Sequence, residues 1–491
     1  MKIQHSRQVT SRWWIHQIPI PLTTLALLVA STLLPSVQVV ASVKPPTAAT
    51  ERQNVKKAPN SQAPTTAREY YDRAMRRYQS QDRSGAIADF DRAIQLQPNF
   101  VDAYNNRGII KGLNGDNPGA IADYTKAINI NPRFFESYAN RGFARLGTGD
   151  KSGALADLQA ASEIKPQDPQ LLIGKGILLA QNGDKQGAIA SYNQAMQLKS
   201  NNVDAYYNRG LAKLDLGDKQ GAIDDYNTAI KLRPNYANAY FGRAKAKNAL
   251  GDYQGAIADY DRVIQLKPSQ SSAYLNRAIA KNNLGNTAGA LGDYDRLVSL
   301  QPNDAIGYFN RANGHSQSGD RTKAIADYTT AIKLDPQLSQ AYNNRGIIYF
   351  TAGNTQAAIV DYSAAIRLKP NDATAYLNRG IAFYVTGEYP KALLDYDRGI
   401  ALAPNNAEMY FNRGISQARL KNYQQALTDY NAAIRLQPNY ALAYSNRGLL
   451  YAQLKSNPAA TADLNTAAKL FQQQNNPAGY DSVMRKLEAI K

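Results

Sequence analysis

A chain of 491 residues with no cysteine and only three histidines, His5, His16 and His315, can build neither a disulfide nor a thiolate metal centre, a Cys/His nucleophile pair or a histidine zinc site. Its formal charge of +18 divides into +6 for residues 1–66, where seven lysines and arginines face Glu51 alone, and +12 for the remainder. That balance suits anionic partners or a membrane surface, and equally a solvated surface of mixed charge, which is the simpler reading.

The N-terminal segment carries Lys2, Arg7 and Arg12 ahead of an apolar stretch whose cleanest part runs from Pro21 to Leu34. Such a length is that of a signal peptide rather than of a full membrane span. Val39-Val40-Ala41 places small residues before Ser42, so residues 1–41 are predicted to direct export and to be cut after Ala41. The alternative is an uncleaved anchor through residues 15–43, with Trp13 and Trp14 at the membrane interface. Residues 42–66, rich in Pro, Ala and Thr without apolar periodicity, read as a disordered linker.

From Ala67 a unit of 34 residues recurs twelve times without insertion or deletion, to residue 474. A proline closes nearly every unit (Pro98, Pro132, Pro166 and onward to Pro438), with Ser200 in the one missing place before the last unit. The fourth place holds tyrosine in every unit except Leu172, and four residues later stands glycine or alanine, as in Gly108 and Ala244. Gly115-Asp116, Gly149-Asp150 and their equivalents supply a helix end followed by a helix cap, so each unit is a helix-turn-helix hairpin. Ile121, Tyr124, Ala127, Ile128 and Ile130 fall at helical spacing and give the second helix one apolar face. A hairpin of this size cannot bury that face alone, so neighbours must stack. Beyond the last unit, Tyr480, Val483, Met484, Leu487 and Ile490 share one face of a helix starting near Pro477, and residues 475–491 are predicted to cap the array.

The 34-residue period, the small contact residues and the closing proline resemble the tetratricopeptide repeat family over residues 67–474. The resemblance implies an all-α, right-handed superhelical solenoid of tandem helix-turn-helix hairpins, with a concave groove lined by the first helices. One place departs from the family: the seventh, where leucine is usual, holds arginine in eleven units and Lys175 in the fourth. A charge on a packing face needs a partner. Sixteen residues on stands aspartate in the same eleven units, and the unit with Lys175 has Ser191 there instead. This co-variation predicts one Arg–Asp pair per unit, within a hairpin or between neighbours; arginines free to bind phosphate or sulfate are the weaker reading.

The eleventh place is basic early (Arg77, Lys111, Arg145, Lys213, Lys247, Lys281) and then becomes His315, Tyr349, Phe383, Gln417 and Tyr451. Glycine at the nineteenth place gives way over the same span, so two sub-arrays, 67–304 and 305–474, are expected. Long basic chains passing over glycine explain the pattern by packing. Regular groove basicity and phosphate-cradling loops are both missing, so nucleic acid is not expected as a partner.

Candidate recognition residues follow from the resemblance, which places the sixth residue of the unit in the groove. Asn106, Asn140, Asn208, Asn276, Asn310, Asn344, Asn378, Asn412 and Asn446 stand there. A primary amide both donates and accepts, so a row of them can satisfy an extended peptide backbone, or can simply belong to the scaffold. Tyr207, Phe241, Phe309 and Phe411 at the preceding place would supply apolar pockets for peptide side chains. The carboxylate clamp of some family members needs groove cations beside these amides, and with only Lys245 and Asn313 suited to it, that activity is not expected. Neither end of the chain has room for a catalytic domain. The sequence therefore predicts a non-enzymatic binding scaffold or adaptor acting outside the cytoplasm, without cofactor or metal, its partner a protein or peptide; a self-associating structural scaffold is the alternative.

Overall fold

A computed structural model describes residues 64–490, which form two compact units, 64–268 and 269–490. The expected export segment, cleavage point and anchor lie outside the described residues. Among the described residues there are twenty-five helices and no strand. The first twenty-four pair in order as hairpins, and in each unit the second helix of one repeat packs on the first helix of the next.

The second repeat shows why the local sequence folds this way. Its first helix, Val101–Leu113, ends at Gly115, whose φ of 85° lies in the left-handed region that side chains resist. Asp116 then accepts the N–H of Gly119 at 2.9 Å and so starts the second helix, Asn117–Ile130, with Pro118 in its first turn. Lys421 and Lys455 hold the same left-handed turn without glycine in the last two repeats, at φ of 65° and 61°.

Between the helices, Tyr124 packs against Gly108, where a Cβ would come within 2.7 Å of the ring. Ala120 and Ala127 are fully buried beside it, so the helices meet at their smallest side chains. Tyrosines at the same place as Tyr124, from Tyr192 through Tyr430, are among the largest buried side chains, each contributing about 2 kcal/mol by leaving water. One expected core residue is not in the core: Ile130 is 37% exposed, as are its equivalents Leu96, Leu198 and Leu232 to similar degree. It is the last residue of its helix, where the chain turns away at Pro132 and no neighbouring helix covers it.

Within each unit the first helices of successive repeats also touch one another, as in the second and third repeats and in the ninth through twelfth. First helices therefore line the more closely packed face, and second helices the other. A final helix, Pro477–Glu488, buries Val483 and Leu487 against Leu464, Ala468 and Phe471, with Tyr480, Met484 and Ile490 at its edges. The two compact units divide between Pro268 and Ser269, whereas the change at the eleventh place falls near residue 305, inside the second unit.

Candidate functional site

The seventh-place arginines all find the aspartate sixteen residues later in their own hairpin, in eleven repeats. In the ninth, Arg345 Nε and Nη2 donate to the two carboxylate oxygens of Asp361, each at 2.8 Å, a bidentate fork about twice as strong as a neutral hydrogen bond. The aspartates are buried, and each guanidinium lies 5.2–5.9 Å from the centre of the fourth-place tyrosine ring. In nine of these repeats the third donor, Nη1, reaches back sixteen residues to the preceding repeat. It meets Asp91, Thr125, Asn193, Asn227, Asp295, Thr329, Ser363, Asp397 or Asn431 at 2.5–3.1 Å. The arginine thus closes its own hairpin and staples it to the one before. With those donors engaged, the phosphate-binding reading loses its ligand groups. Its bond to Asp327 holds the Arg311 guanidinium above its ordinary value.

Eleventh-place cations share the same carboxylates. Arg77, Lys111, Arg145, Lys213, Lys247 and Lys281 each lie 2.8–3.0 Å from the second aspartate oxygen of their own hairpin. Five of them also donate to the carbonyl of the nineteenth-place glycine, at 3.0–3.4 Å. Where the place turns aromatic, Tyr349 and Phe383 take the face of Arg345 and Arg379 instead.

The fourth repeat breaks the pattern. Ser191 Oγ donates to the Gly187 carbonyl at 3.0 Å, and Lys175 has no partner among the described residues. Gln159, at the place where a staple would land, bonds Glu163 instead. What joins the third and fourth repeats is apolar: Ala139, Leu158, Leu171 and Leu178 pack with Phe143. Apolar contact is non-directional, so it holds the repeats together without fixing their register. Restoring the pair as Lys175→Arg with Ser191→Asp is expected to slow amide hydrogen exchange in residues 151–181 and to raise the thermal midpoint. Exchange there no faster than in the second repeat of the parent protein defeats this account.

The sixth-place asparagines lie on the first helices, and each already spends an amide N–H. Asn208, Asn276, Asn310, Asn412 and Asn446 donate to the carbonyl one turn back in their own helix, at 2.7–2.9 Å. Asn106 donates to Tyr71 Oη, Asn140 to Asn105, Asn344 to Asn313 and Asn378 to Asn343. These bonds fix the amide planes, and in the first five the Oδ1 is left uncommitted. Tyr207, Phe241 and Phe309 are half-buried at the preceding place, where burial pushes the Tyr207 phenol up to about 12. Phe411 is not available as a pocket: it is 0% exposed, enclosed by the rings of Tyr430 and Tyr440. Asn313 Oδ1 accepts from both Tyr328 Oη and Asn344 Nδ2, which leaves it unfit for a clamp.

Glu408, in the first turn of Ala407–Arg419, is a charge that periodicity did not single out. Burial raises its carboxyl above the usual value, and no cation bonds it. A raised folded-state value means that protonation favours the folded form. That contribution is complete below the unfolded value and lost as pH rises through the folded one. Glu408→Gln is therefore expected to raise the urea midpoint at pH 7, with the gain vanishing below about pH 4; a gain that persists at pH 3 contradicts the assignment.

Family models agree with this geometry. Models described as tetratricopeptide repeat match residues 207–271, 241–305 and 373–406, and one described as TPR repeat matches 113–149, 176–217, 315–353, 348–387 and 418–455, together more than half of the chain. The chain belongs to the tetratricopeptide repeat family. No curated protein matches it. Among solved structures it is similar to a tetratricopeptide repeat protein from Parabacteroides merdae ATCC 43184, at 24% identity over 51% of this chain and 98% of that one, with a TM-score of 0.40. It is also similar to MamA (26% identity, 33% of this chain and 94% of that one, TM-score 0.32) and to YrrB, described as a TPR protein with an unusual peptide-binding site (20%, 38% and 95%, TM-score 0.34). As a member of this family the chain has the build of a protein-interaction scaffold.

Proposed function

We propose that this tetratricopeptide repeat protein is an exported, non-catalytic scaffold that holds an extended protein segment along its first-helix face. The observation that carries the reading is the row of anchored amides. Within residues 269–490, Asn276, Asn310, Asn412 and Asn446 are each oriented by a bond to their own helix and keep an acceptor oxygen uncommitted, as Asn208 does within residues 64–268. Preorganised amides lose little entropy on meeting a peptide backbone. Half-buried Phe309 beside Asn310, and Tyr207 beside Asn208 in the other unit, offer apolar contact for side chains of the bound segment.

The test is capture of partners from an envelope extract by the full chain, run beside a variant with Asn310, Asn344, Asn378 and Asn412 changed to alanine. Proteins held by the parent and lost by the variant support the first-helix face. Identical capture by both, or none by either, rejects it. Export has its own check: the mature protein recovered from the extracytoplasmic fraction should begin at Ser42. A chain that retains Met1 and stays with the membrane points instead to an anchor through residues 15–43.

A further inference from the structure

The second helices of residues 269–490 carry a charge pattern that neither the ladder nor the first-helix face uses. They are Thr287–Leu300, Arg321–Leu334, Thr355–Leu368, Tyr389–Leu402, Tyr423–Leu436 and Asn457–Gln473. None contains a glutamate, and every aspartate in them is held by a seventh-place arginine. At least one cation per helix remains: Arg296, Arg321, Lys333, Arg367, Arg398, Arg435 and Lys469 are all exposed, and no carboxylate bonds any of them among the described residues. Asp295 and Asp397 are exposed but shared with Arg311 and Arg413, so the surplus charge of these helices is positive in every repeat of the unit.

Two of these helices add large apolar side chains in water. Val360 is 60% and Leu394 70% exposed, at a place where the other repeats of this unit carry Gly292, Ala326, Thr428 and Ala462. Arg398 stands one turn beyond Leu394 and Arg367 two turns beyond Val360, on the same helix faces. Leu394 borders an open cavity of 330 Å³ with Phe383, the stems of Arg379 and Lys391, and Asp395. A cavity of that size takes one side chain; its own cations are paired, Arg379 with Asp395 and Lys391 with Glu388, and the unpaired Arg398 stands one turn from Leu394 at its edge.

We propose that this second-helix face, with Phe383 at its edge, is a docking surface separate from the sixth-place asparagines for an acidic protein segment that seats an apolar side chain against Leu394 and Phe383. Charge complementarity selects an anionic partner. The cavity selects a protein over a bilayer or a nucleic acid, which would use the cations and leave it empty.

The experiment titrates the full chain with a fluorescent synthetic peptide of about sixteen residues, glutamate and serine alternating around a central leucine. Parallel arms use phosphatidylserine vesicles and single-stranded RNA. Binding of the peptide should weaken with salt, and at least about tenfold in Leu394→Ser and in Arg367→Glu with Arg398→Glu, which replace exposed side chains and leave helical circular dichroism unchanged. The first-helix variant with four alanines should bind the peptide like the parent, so this proposal and the function proposed above fail separately. Absence of binding, indifference to Leu394→Ser, or tighter binding of vesicles or RNA than of the peptide overturns the inference.

Discussion

Asp361→Asn is expected to cost about 3–5 kcal/mol of stability, because it leaves Arg345 half-buried without its carboxylate. The aspartate is 3% exposed, and both of its oxygens are engaged by one guanidinium. Removing one member of such a pair exposes the full desolvation penalty of the other. Removing both does not, so Arg345→Leu with Asp361→Ala, which restores the family's usual leucine at the seventh place, should return to within about 1 kcal/mol of the parent. Asp123→Asn should cost at least as much as Asp361→Asn, since it strands two cations, Arg107 and Lys111. Urea denaturation of the four proteins gives the comparison. If Asp361→Asn unfolds with the parent, the ladder is not what holds the hairpins.

Tyr396→Ala carries the other large effect, about 3–5 kcal/mol, from a fully buried ring and the cavity that its loss leaves. The ring lies so close to Gly380 that a Cβ there would come within 2.6 Å of Cε1. Gly380→Leu in the parent is therefore expected to destabilise by about 1–3 kcal/mol through overpacking. In the Tyr396→Ala background the same leucine has room, and it should recover part of the loss. A parent that accepts Gly380→Leu without cost shows that the two helices are not held at that separation by the small residue.

The sequence was informative wherever a place is strict. Gly115 and Asp116 announce their turn because only a few residue types satisfy a left-handed φ or cap a helix. The ladder was legible because Lys175 and Ser191 changed together. Its third bond was not, because Nη1 donates to any nearby oxygen, and the landing place varies among Asp91, Thr125, Asn193 and Ser363 without a pattern to notice. Ile130 misleads for a related reason: periodicity gives a residue's face but not whether a neighbour extends far enough to cover it. Phe411 shares its place with Phe309 yet differs in fate, since Tyr440 closes over it whereas Leu338 stands at the equivalent place after Phe309. The asparagines could be located from spacing, but that each spends an N–H internally depended on side-chain geometry.

The arginine staple also bears on how such an array changes length over generations. Nine of these guanidinium groups, Arg345 among them, draw on a carboxylate sixteen residues ahead and an acceptor sixteen residues behind, distances that fit inside one repeat and its predecessor. A gene duplication that copies one complete 34-residue unit delivers the arginine, its aspartate and the next landing place together, so the new copy fits between its neighbours at once. Gain or loss of a single residue within a hairpin shifts one of these partners by about a hundred degrees around its helix and breaks the fork. Twelve copies without one insertion or deletion are the record that such a rule leaves in a chain.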